Sequence, residues 1–497
     1  MVLTTTGNKG GDEEMGVLGL ESVVAEARTT FESGKTRGFD WRQSQLKSLL
    51  RLLKEREDDM FKVLKDDLGK HRVEAFRDEV GALVKSTENA LLYLKNWMSP
   101  ERVSLPLVAF PTVAEIVPEP LGVVLVFSSW NFPLGLSLEP LIGAIAAGNA
   151  AVLKPSELAP ATSEFLSDTI PKYLDYEAIK VIQGGPQVAE QLLDLKWDKI
   201  FFTGSPKVGR IVMTAAAKHL TPVTLELGGK CPAIFDSLKS SRDKMVATER
   251  IVGGKWGACY GQACIGIDYL LVEEKYAPIL LELLKGVLQK FFPNFELMAR
   301  IVNKHHFQRL CNLLKNESVA ASIVHGGSMN PDKLFIEPTI LLNPPLDAEI
   351  MTEEIFGPFL PIITLKKIED SVKFLRARPT PLVIYGFTHD EKLKRRIVEE
   401  TSSGCVVFND ALIQYMCETI PFGGVGQSGF GQYHGKFSFD NFSNRKPVVR
   451  RSFLIELSFR YPPWNEKKLQ LIRHIYCYDY FGFVLCLLGL KRCNYRS

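Results

Sequence analysis

Cys264 is the residue of this chain best placed to act as a nucleophile. It sits on a loop of small residues, Gly261-Gln262-Ala263-Cys264, approached through Gly253-Gly254-Lys255-Trp256-Gly257 and followed by the β-prone run Tyr269-Leu270-Leu271-Val272. A thiol works as a nucleophile when it is both reachable and ionisable, and small neighbours leave it reachable. A cysteine drawn at random is more often a buried packing residue, so the weight falls on its company. Glu226 precedes the glycine turn of Leu225-Glu226-Leu227-Gly228-Gly229-Lys230, and Asn131 follows a strongly apolar run in Trp130-Asn131-Phe132-Pro133. Nucleophile, carboxylate base and amide donor are the three parts an acyl-transfer site needs. Each has a plainer reading too. Asn131 also suits the cap of a helix beginning near Leu134, and Glu226 suits a strand end at a turn. Cys259 is the rival thiol.

These groups need a scaffold to bring them together. Apolar runs at 122–127, 150–153, 179–182, 199–202 and 223–225 alternate with helical periodicity over 136–148, 160–172, 186–194 and 207–218. Strand, helix, strand, helix predicts a doubly wound, Rossmann-type parallel α/β sheet. A second α/β unit follows, with strands at 269–272, 360–364 and 404–409 and helices at 275–291 and 302–315. Residues 17–100 show amphipathic helical stripes to which no chemistry is assigned. Two β-prone runs, Val103–Phe110 and Thr112–Val117, predict a hairpin around Pro111.

A Gly-x-Gly-x-x-Gly string occurs at Gly424, Gly426 and Gly429. It follows Pro421-Phe422 and opens no helix, so it fails the context of a dinucleotide fingerprint and reads as a structural loop near the active site. The better candidate is Phe202-Thr203-Gly204-Ser205-Pro206-Lys207-Val208-Gly209, which follows a strand and opens a helix whose free N–H groups can meet a pyrophosphate.

At 497 residues the chain is long enough for two to four domains. A net charge of +3 favours neither a nucleic-acid binder nor a polybasic membrane protein. Nine cysteines without CxxC pairs suggest no zinc site, no other metal and no disulfide framework. Scattered thiols fit a reducing, cytoplasmic compartment. Met1 to Met15 has neither signal-peptide nor transit-peptide character, and a disordered start is expected. The run Tyr480–Leu490 has eleven uncharged residues, short of the ~20 that span a bilayer. It is read either as a packed C-terminal element or as a shallow membrane anchor backed by Lys491-Arg492.

Seven segments in order span most of the chain and carry a family resemblance. They are Ser129–Pro133, Lys154-Pro155-Ser156-Glu157, Phe202–Ser205, Leu225–Lys230, Gly261–Cys264, Glu354-Ile355-Phe356-Gly357-Pro358, and Pro421–Gly426 running on to Tyr433-His434-Gly435-Lys436. Together they resemble the aldehyde dehydrogenase family, and the last resembles its class 3 branch, the fatty and aromatic aldehyde dehydrogenases. The resemblance implies an aldehyde dehydrogenase-like fold and an NAD- or NADP-dependent oxidation of medium- or long-chain aliphatic or aromatic aldehydes to acids.

It also implies roles. Cys264 attacks the carbonyl to give a thiohemiacetal, Asn131 and the Cys264 N–H hold the oxyanion, hydride leaves for the nicotinamide, and Glu226 activates water to hydrolyse the thioester. Lys154 and Glu157 approach the adenosine ribose, where a carboxylate favours a free 2′-hydroxyl and a cation tolerates a 2′-phosphate. With both charges present, NAD and NADP stay open. Gly204, Ser205 and Gly209 form the pyrophosphate turn, and Glu354 with Phe356 matches the segment at the nicotinamide ribose. The implied organisation is a cofactor domain (15–102 and 119–225), a catalytic domain (226–404), an oligomerisation arm (103–118 and 405–450) and a tail (451–497), assembled as a homodimer. Ile267-Asp268 departs from the family's usual Pro-Asp, and Leu412, Ile413, Tyr415 and Met416 favour apolar aldehydes. A CoA-acylating relative and a catalytically silent binding protein are the alternatives. Glu226 argues against the first, and Cys264, Glu226 and Asn131 together argue against the second.

Overall fold

Strands that are apolar along their whole length are stable where both faces are covered, and the runs found in the sequence occupy such places. The computed structural model describes residues 12–106, 109–293 and 298–490. In chain order the strands are β1 (Glu101–Val103), β2 (Val113–Pro120), β3 (Val123–Phe127), β4 (Ala150–Lys154), β5 (Ile179–Val181), β6 (Lys199–Gly204), β7 (Val223–Leu227), β8 (Pro232–Phe235) and β9 (Tyr269–Glu273). They continue with β10 (Ile323–His325), β11 (Met329–Asn330), β12 (Phe335–Ile336), β13 (Thr339–Leu342), β14 (Phe359–Leu365), β15 (Val383–Phe387), β16 (Cys405–Phe408), β17 (Gly429–Phe430) and β18 (Ser443–Arg450).

One six-stranded sheet runs β17-β7-β6-β3-β4-β5, and a seven-stranded sheet runs β10-β13-β14-β9-β8-β15-β16. In the first, β3 to β7 are parallel and only β17 is antiparallel. The predicted helices appear as Gly135–Ala147, Pro160–Tyr173, Pro186–Asp194 and Pro206–Ala217. Gly135–Ala147 is buried at every position and stops at Gly148, whose φ of +86° suits glycine. A Cβ there would stand 2.5 Å from the Arg42 guanidinium carbon.

The chain divides into a larger unit, Met1–Trp97 with Pro120–Asn444, and a smaller one, Met98–Glu119 with Arg445–Ser497. The larger unit holds both parallel sheets. The boundary read at 405 differs from this division, since β16 is the edge strand of the seven-stranded sheet and β17 pairs with β7. The smaller unit contains β1-β2-β18, laced by Arg445–Glu101 at 2.7 Å and Lys446–Glu119 at 2.5 Å. The hairpin around Pro111 is present, but its first strand is Glu101–Val103 rather than Val103–Phe110. The C-terminal run forms the helix Tyr480–Leu487, packed with Glu466–Tyr476 around Phe459, Leu471 and Cys486.

No helix among the described residues is long and apolar enough to cross a membrane, and none of their His, Cys, Asp and Glu side chains gather into a metal-holding group. The polar start up to residue 11 and Lys491-Arg492 lie outside the described residues. From Asp12 the chain is helical, through Glu32, so the expected disordered start does not extend to Met15.

Candidate active site

Parallel strands open ligand sites at their carboxyl ends, and the first sheet delivers the candidates there. Lys154 ends β4, Gly204 ends β6, Glu226 lies one residue from the end of β7, and Asn131 follows β3. The register sets Thr203 beside Glu226 and Gly204 beside Leu227, so the glycine turn and the carboxylate share one edge. Cys264 enters from the loop ahead of β9 in the second sheet.

That loop is held rigidly. Gln262, fully buried, donates from Nε2 to the carbonyls of Cys259 and Arg300 at 3.0 Å each, and its Oε1 accepts from the Val302 N–H at 3.1 Å. Cys231 donates its thiol to the Cys264 carbonyl at 3.3 Å. Cys259 is buried in an apolar cluster with Trp130 and Val302, and burial pushes its thiol pKa up. Cys264 keeps partial exposure, so of the two it is the reachable thiol.

Asn131 Nδ2 donates to the Gln262 carbonyl at 3.0 Å, which joins the amide to the nucleophile loop and leaves its second hydrogen free. It does not cap the helix near Leu134. Glu79 does so instead, accepting from the Leu134 and Gly135 N–H groups at 2.9 and 3.1 Å. The Cys264 N–H has no hydrogen-bond partner among the described residues. Two donors with spare N–H groups thus lie on or against the Cys264 loop.

Glu226 is buried, and both its carboxyl oxygens lack a hydrogen-bond partner. Burial raises its pKa to about 7, and the Cys264 thiol opposes this. The thiol itself is held well above its ordinary value by burial first and by the Glu226 charge second. The two groups are therefore close enough to influence each other's protonation. Gly429 of the glycine-rich string lies directly opposite Glu226 in the β17–β7 pair, and a Cβ there would stand 2.0 Å from the Leu225 carbonyl. The string braces the strand that carries Glu226.

Glu354 lies against the turn after Glu226. A Cβ on Gly228 would come within 2.1 Å of its carboxyl, and only glycine allows that approach. Burial lifts Glu354 to about 8, partly offset by the Gly229 N–H. Phe356 packs edge-on to Trp130 at 5.3 Å, next to Asn131. Cys264, Glu226, Asn131, Glu354 and Phe356 therefore share one locality. Lys154, Glu157, Gly204, Ser205 and Gly209 lie along the sheet edge. Lys154 and Glu157 bind each other at 2.6 Å. Ser205 caps the helix Pro206–Ala217 by accepting from the Val208 N–H, and a Cβ on Gly209 would reach Leu227 at 3.0 Å, so the glycine draws helix and sheet together.

Residues outside the sequence reading support this site. Lys70, fully buried, donates to the Asn131 carbonyl at 2.8 Å and to Glu79 at 2.6 Å. Burial alone would lower its pKa, but the charges of Glu79, Cys259 and Glu74 and the Glu79 hydrogen bond together outweigh that, and the ammonium persists. Glu79 is presented by a π-helical turn, Phe76–Val80, between the helices Arg72–Ala75 and Gly81–Trp97. Such turns recur at functional sites. The amphipathic stripe in this segment conceals both charges, and their separation of nine residues has no fixed meaning on a helix. We expect Lys70→Met to leave Glu79 buried and unpaired. The loss should be about 3–5 kcal/mol of stability, with a kcat decrease of about tenfold or more as Asn131 loses its anchor. Thermal melts and initial rates check this, and an unchanged melt would remove Lys70 from the account.

Known proteins resemble this chain in sequence and in fold. The sequence profile of the aldehyde dehydrogenase family matches residues 15–448. The chain is 55% identical to aldehyde dehydrogenase family 3 member F1 of Arabidopsis thaliana, over 95% of this chain and 99% of that one. It is 40% identical to aldehyde dehydrogenase family 3 member A2 of Rattus norvegicus, over 90% and 93%. Among solved structures it is similar to substrate-bound AldH of Staphylococcus aureus, with a TM-score of 0.88, 40% identity and coverage of 92% and 99%. It is also similar to the glyceraldehyde-3-phosphate dehydrogenase GapN of Methanocaldococcus jannaschii complexed with NADP, at a TM-score of 0.77, 25% identity and coverage of 87% and 94%.

Proposed function

The chain belongs to the aldehyde dehydrogenase family, and on that premise we propose that it oxidises medium- or long-chain aliphatic or aromatic aldehydes to carboxylic acids with NAD or NADP. The observation that carries the reading is the convergence of a partly exposed thiol, a buried unpartnered carboxyl and an amide with a spare N–H on one loop junction. Cys264 passes its proton to Glu226 and attacks the carbonyl carbon. The oxyanion is received by Asn131 Nδ2 and the Cys264 N–H. A dinucleotide held along the Lys154, Glu157 and Gly204 to Gly209 edge would supply the hydride acceptor, and Cys264 would then carry the acyl group as a thioester. Glu226 must first release the thiol proton to solvent; as a carboxylate again it takes a proton from water, the hydroxide adds to the thioester, and the thiolate departs as the acid forms. Because both Glu226 oxygens are unpartnered, a water there meets an acceptor with nothing to displace. That favours hydrolysis over transfer to CoA.

The residues present fit a dinucleotide. Lys154 and Glu157 offer a cation and a carboxylate toward a ribose, Gly204 to Gly209 open a helix N-terminus, and Thr203 holds a buried, unpartnered hydroxyl at the same edge. If Glu157 selects a free 2′-hydroxyl, Glu157→Gln releases Lys154 to a 2′-phosphate. It should then raise the NADP to NAD ratio of kcat/KM by about tenfold. An unmoved ratio would sink this assignment.

We further propose a homodimer formed through the β1-β2-β18 arm, whose edge strand β18 is exposed along most of its length. The C-terminal helix Tyr480–Leu487 suits peripheral contact with a cytoplasmic membrane surface, since Phe481, Val484 and Leu487 are exposed. The activity is tested by following absorbance near about 340 nm, where reduced nicotinamide absorbs, with hexanal or benzaldehyde and each dinucleotide. Reduced cofactor should form with both aldehydes. Silence across short, long and aromatic aldehydes would reject the reading.

A further inference from the structure

Beside the helix Gly135–Ala147 lies a small, partly open cavity of about 20 Å³, room for about one water, with Glu79, Gly135, Glu139, Tyr415 and Glu418 in its wall. Tyr415 lines it and lies near enough to Cys264 and Glu226 to feel their charges. The hydroxyl of Tyr415 is pushed well up in pKa by burial, then by the charges of Glu139, Cys264, Glu79 and Glu226. A Cβ on Gly135 would stand 3.6 Å from that hydroxyl and 3.7 Å from the Glu79 side chain, so the cavity begins four residues from Asn131.

The charges around it do not balance. Asp78 is paired with Arg77 at 2.5 Å, and Glu79 is paired with Lys70. His434 is buried with its Nε2 unpartnered, and burial lowers its pKa to about 3, so it brings no positive charge. Two carboxyls remain. Glu139, 6% exposed, holds only the Ser86 hydroxyl at 2.9 Å. Glu418 has one buried, unpartnered oxygen. The one remaining cation is Lys85, which offsets Glu418 while its ammonium is held by the Met416 carbonyl at 2.9 Å. The surplus is one carboxylate, and it rests on Glu139.

We propose that Glu139, seconded by Glu418, is a specificity-determining residue that turns away aldehydes whose far end carries an anion and leaves neutral ones unhindered. This rests on Cys264 as the residue that receives the aldehyde. An anion brought toward Tyr415 meets an unpaired like charge on the buried Glu139, where repulsion is screened less than at the surface. A neutral chain or ring meets apolar and aromatic walls, with Tyr415 edge-on to Phe422 at 5.5 Å. The discrimination is pH-dependent. Burial, with Glu418 adding to it and Ser86 opposing, holds Glu139 at about 7. Below that pH its carboxyl is neutral and the barrier falls, whereas above it the carboxylate is charged and the barrier stands.

The test uses two aldehydes of nearly one shape, 4-formylbenzamide and 4-formylbenzoate, with the full-length protein. The quantity read is the amide-to-carboxylate ratio of kcat/KM between about pH 6 and about pH 8.5. Titration of Cys264 and Glu226 affects both aldehydes and cancels in the ratio. In wild type the ratio should rise by about tenfold across this range. In Glu139→Gln it should be flat, and about tenfold lower than wild type at the alkaline end. A ratio that is flat in wild type, or that rises equally in the variant, overturns the inference while leaving the dehydrogenase reading intact. A wild type silent on both aldehydes overturns that reading and the inference together. The wild-type pH series stands alone if the variant fails to fold.

Discussion

Cys264→Ala should reduce aldehyde-dependent formation of reduced nicotinamide by at least about 10⁴-fold, because without the thiolate no alkoxide forms to release hydride. The fold should survive, since Cys264 is partly exposed and the loop is held by Gln262, Asn131 and Cys231 through backbone carbonyls that alanine retains. Cys259→Ala should leave turnover largely intact, because that thiol is packed against Trp130 with its pKa driven up by burial. Stopped-flow absorbance on the two variants separates these outcomes. Equal loss in both would mean that the loop as a whole, rather than one sulfur, carries the activity.

Glu226→Gln should separate the two halves of the reaction. The first half needs the thiolate and the oxyanion donors, so a burst of about one reduced nicotinamide per site should remain, formed more slowly because the thiol loses its proton acceptor. The second half needs a base for water, so steady-state turnover should fall by about 10²–10⁴-fold. The pH dependence follows from the same group. Glu226 titrates at about 7 because burial disfavours its charge, so below that pH it is protonated and cannot accept from water. Wild-type turnover should therefore rise through neutrality, and the glutamine variant should lose this limb. A wild-type rate independent of pH from about 5.5 to about 8.5 would place the base elsewhere.

Much of this site is legible in the sequence because its parts sit on punctuated local patterns. The strands β3, β4, β6 and β7 are largely apolar runs, and Asn131, Lys154, Gly204 and Glu226 lie at or near their carboxyl ends, so the gathering of these four follows from the topology. Cys264 stands out because small residues surround it. Other features are hidden for physical reasons. Lys70 and Glu79 form a buried ion pair within segments whose pattern is that of an ordinary amphipathic helix, and only the π-turn and the tertiary packing bring them to Asn131. Asn131 has the composition of a helix cap, and the sequence cannot show that Glu79 occupies that role. Glu139 lies inside a buried helix, and its surplus charge is visible only once Asp78 and Glu79 are seen to be paired. The short strand β8 and β15, which follows Pro379 and Pro381, carry too little periodicity to be separated from loops.

The most direct test is intact-mass spectrometry of Glu226→Gln, quenched in acid within the burst after mixing with benzaldehyde and NAD. The expected result is one benzoyl group per chain, which peptide mapping places on Cys264. An unmodified protein despite a full burst, or a benzoyl group on Cys259, would contradict the covalent mechanism centred on Cys264.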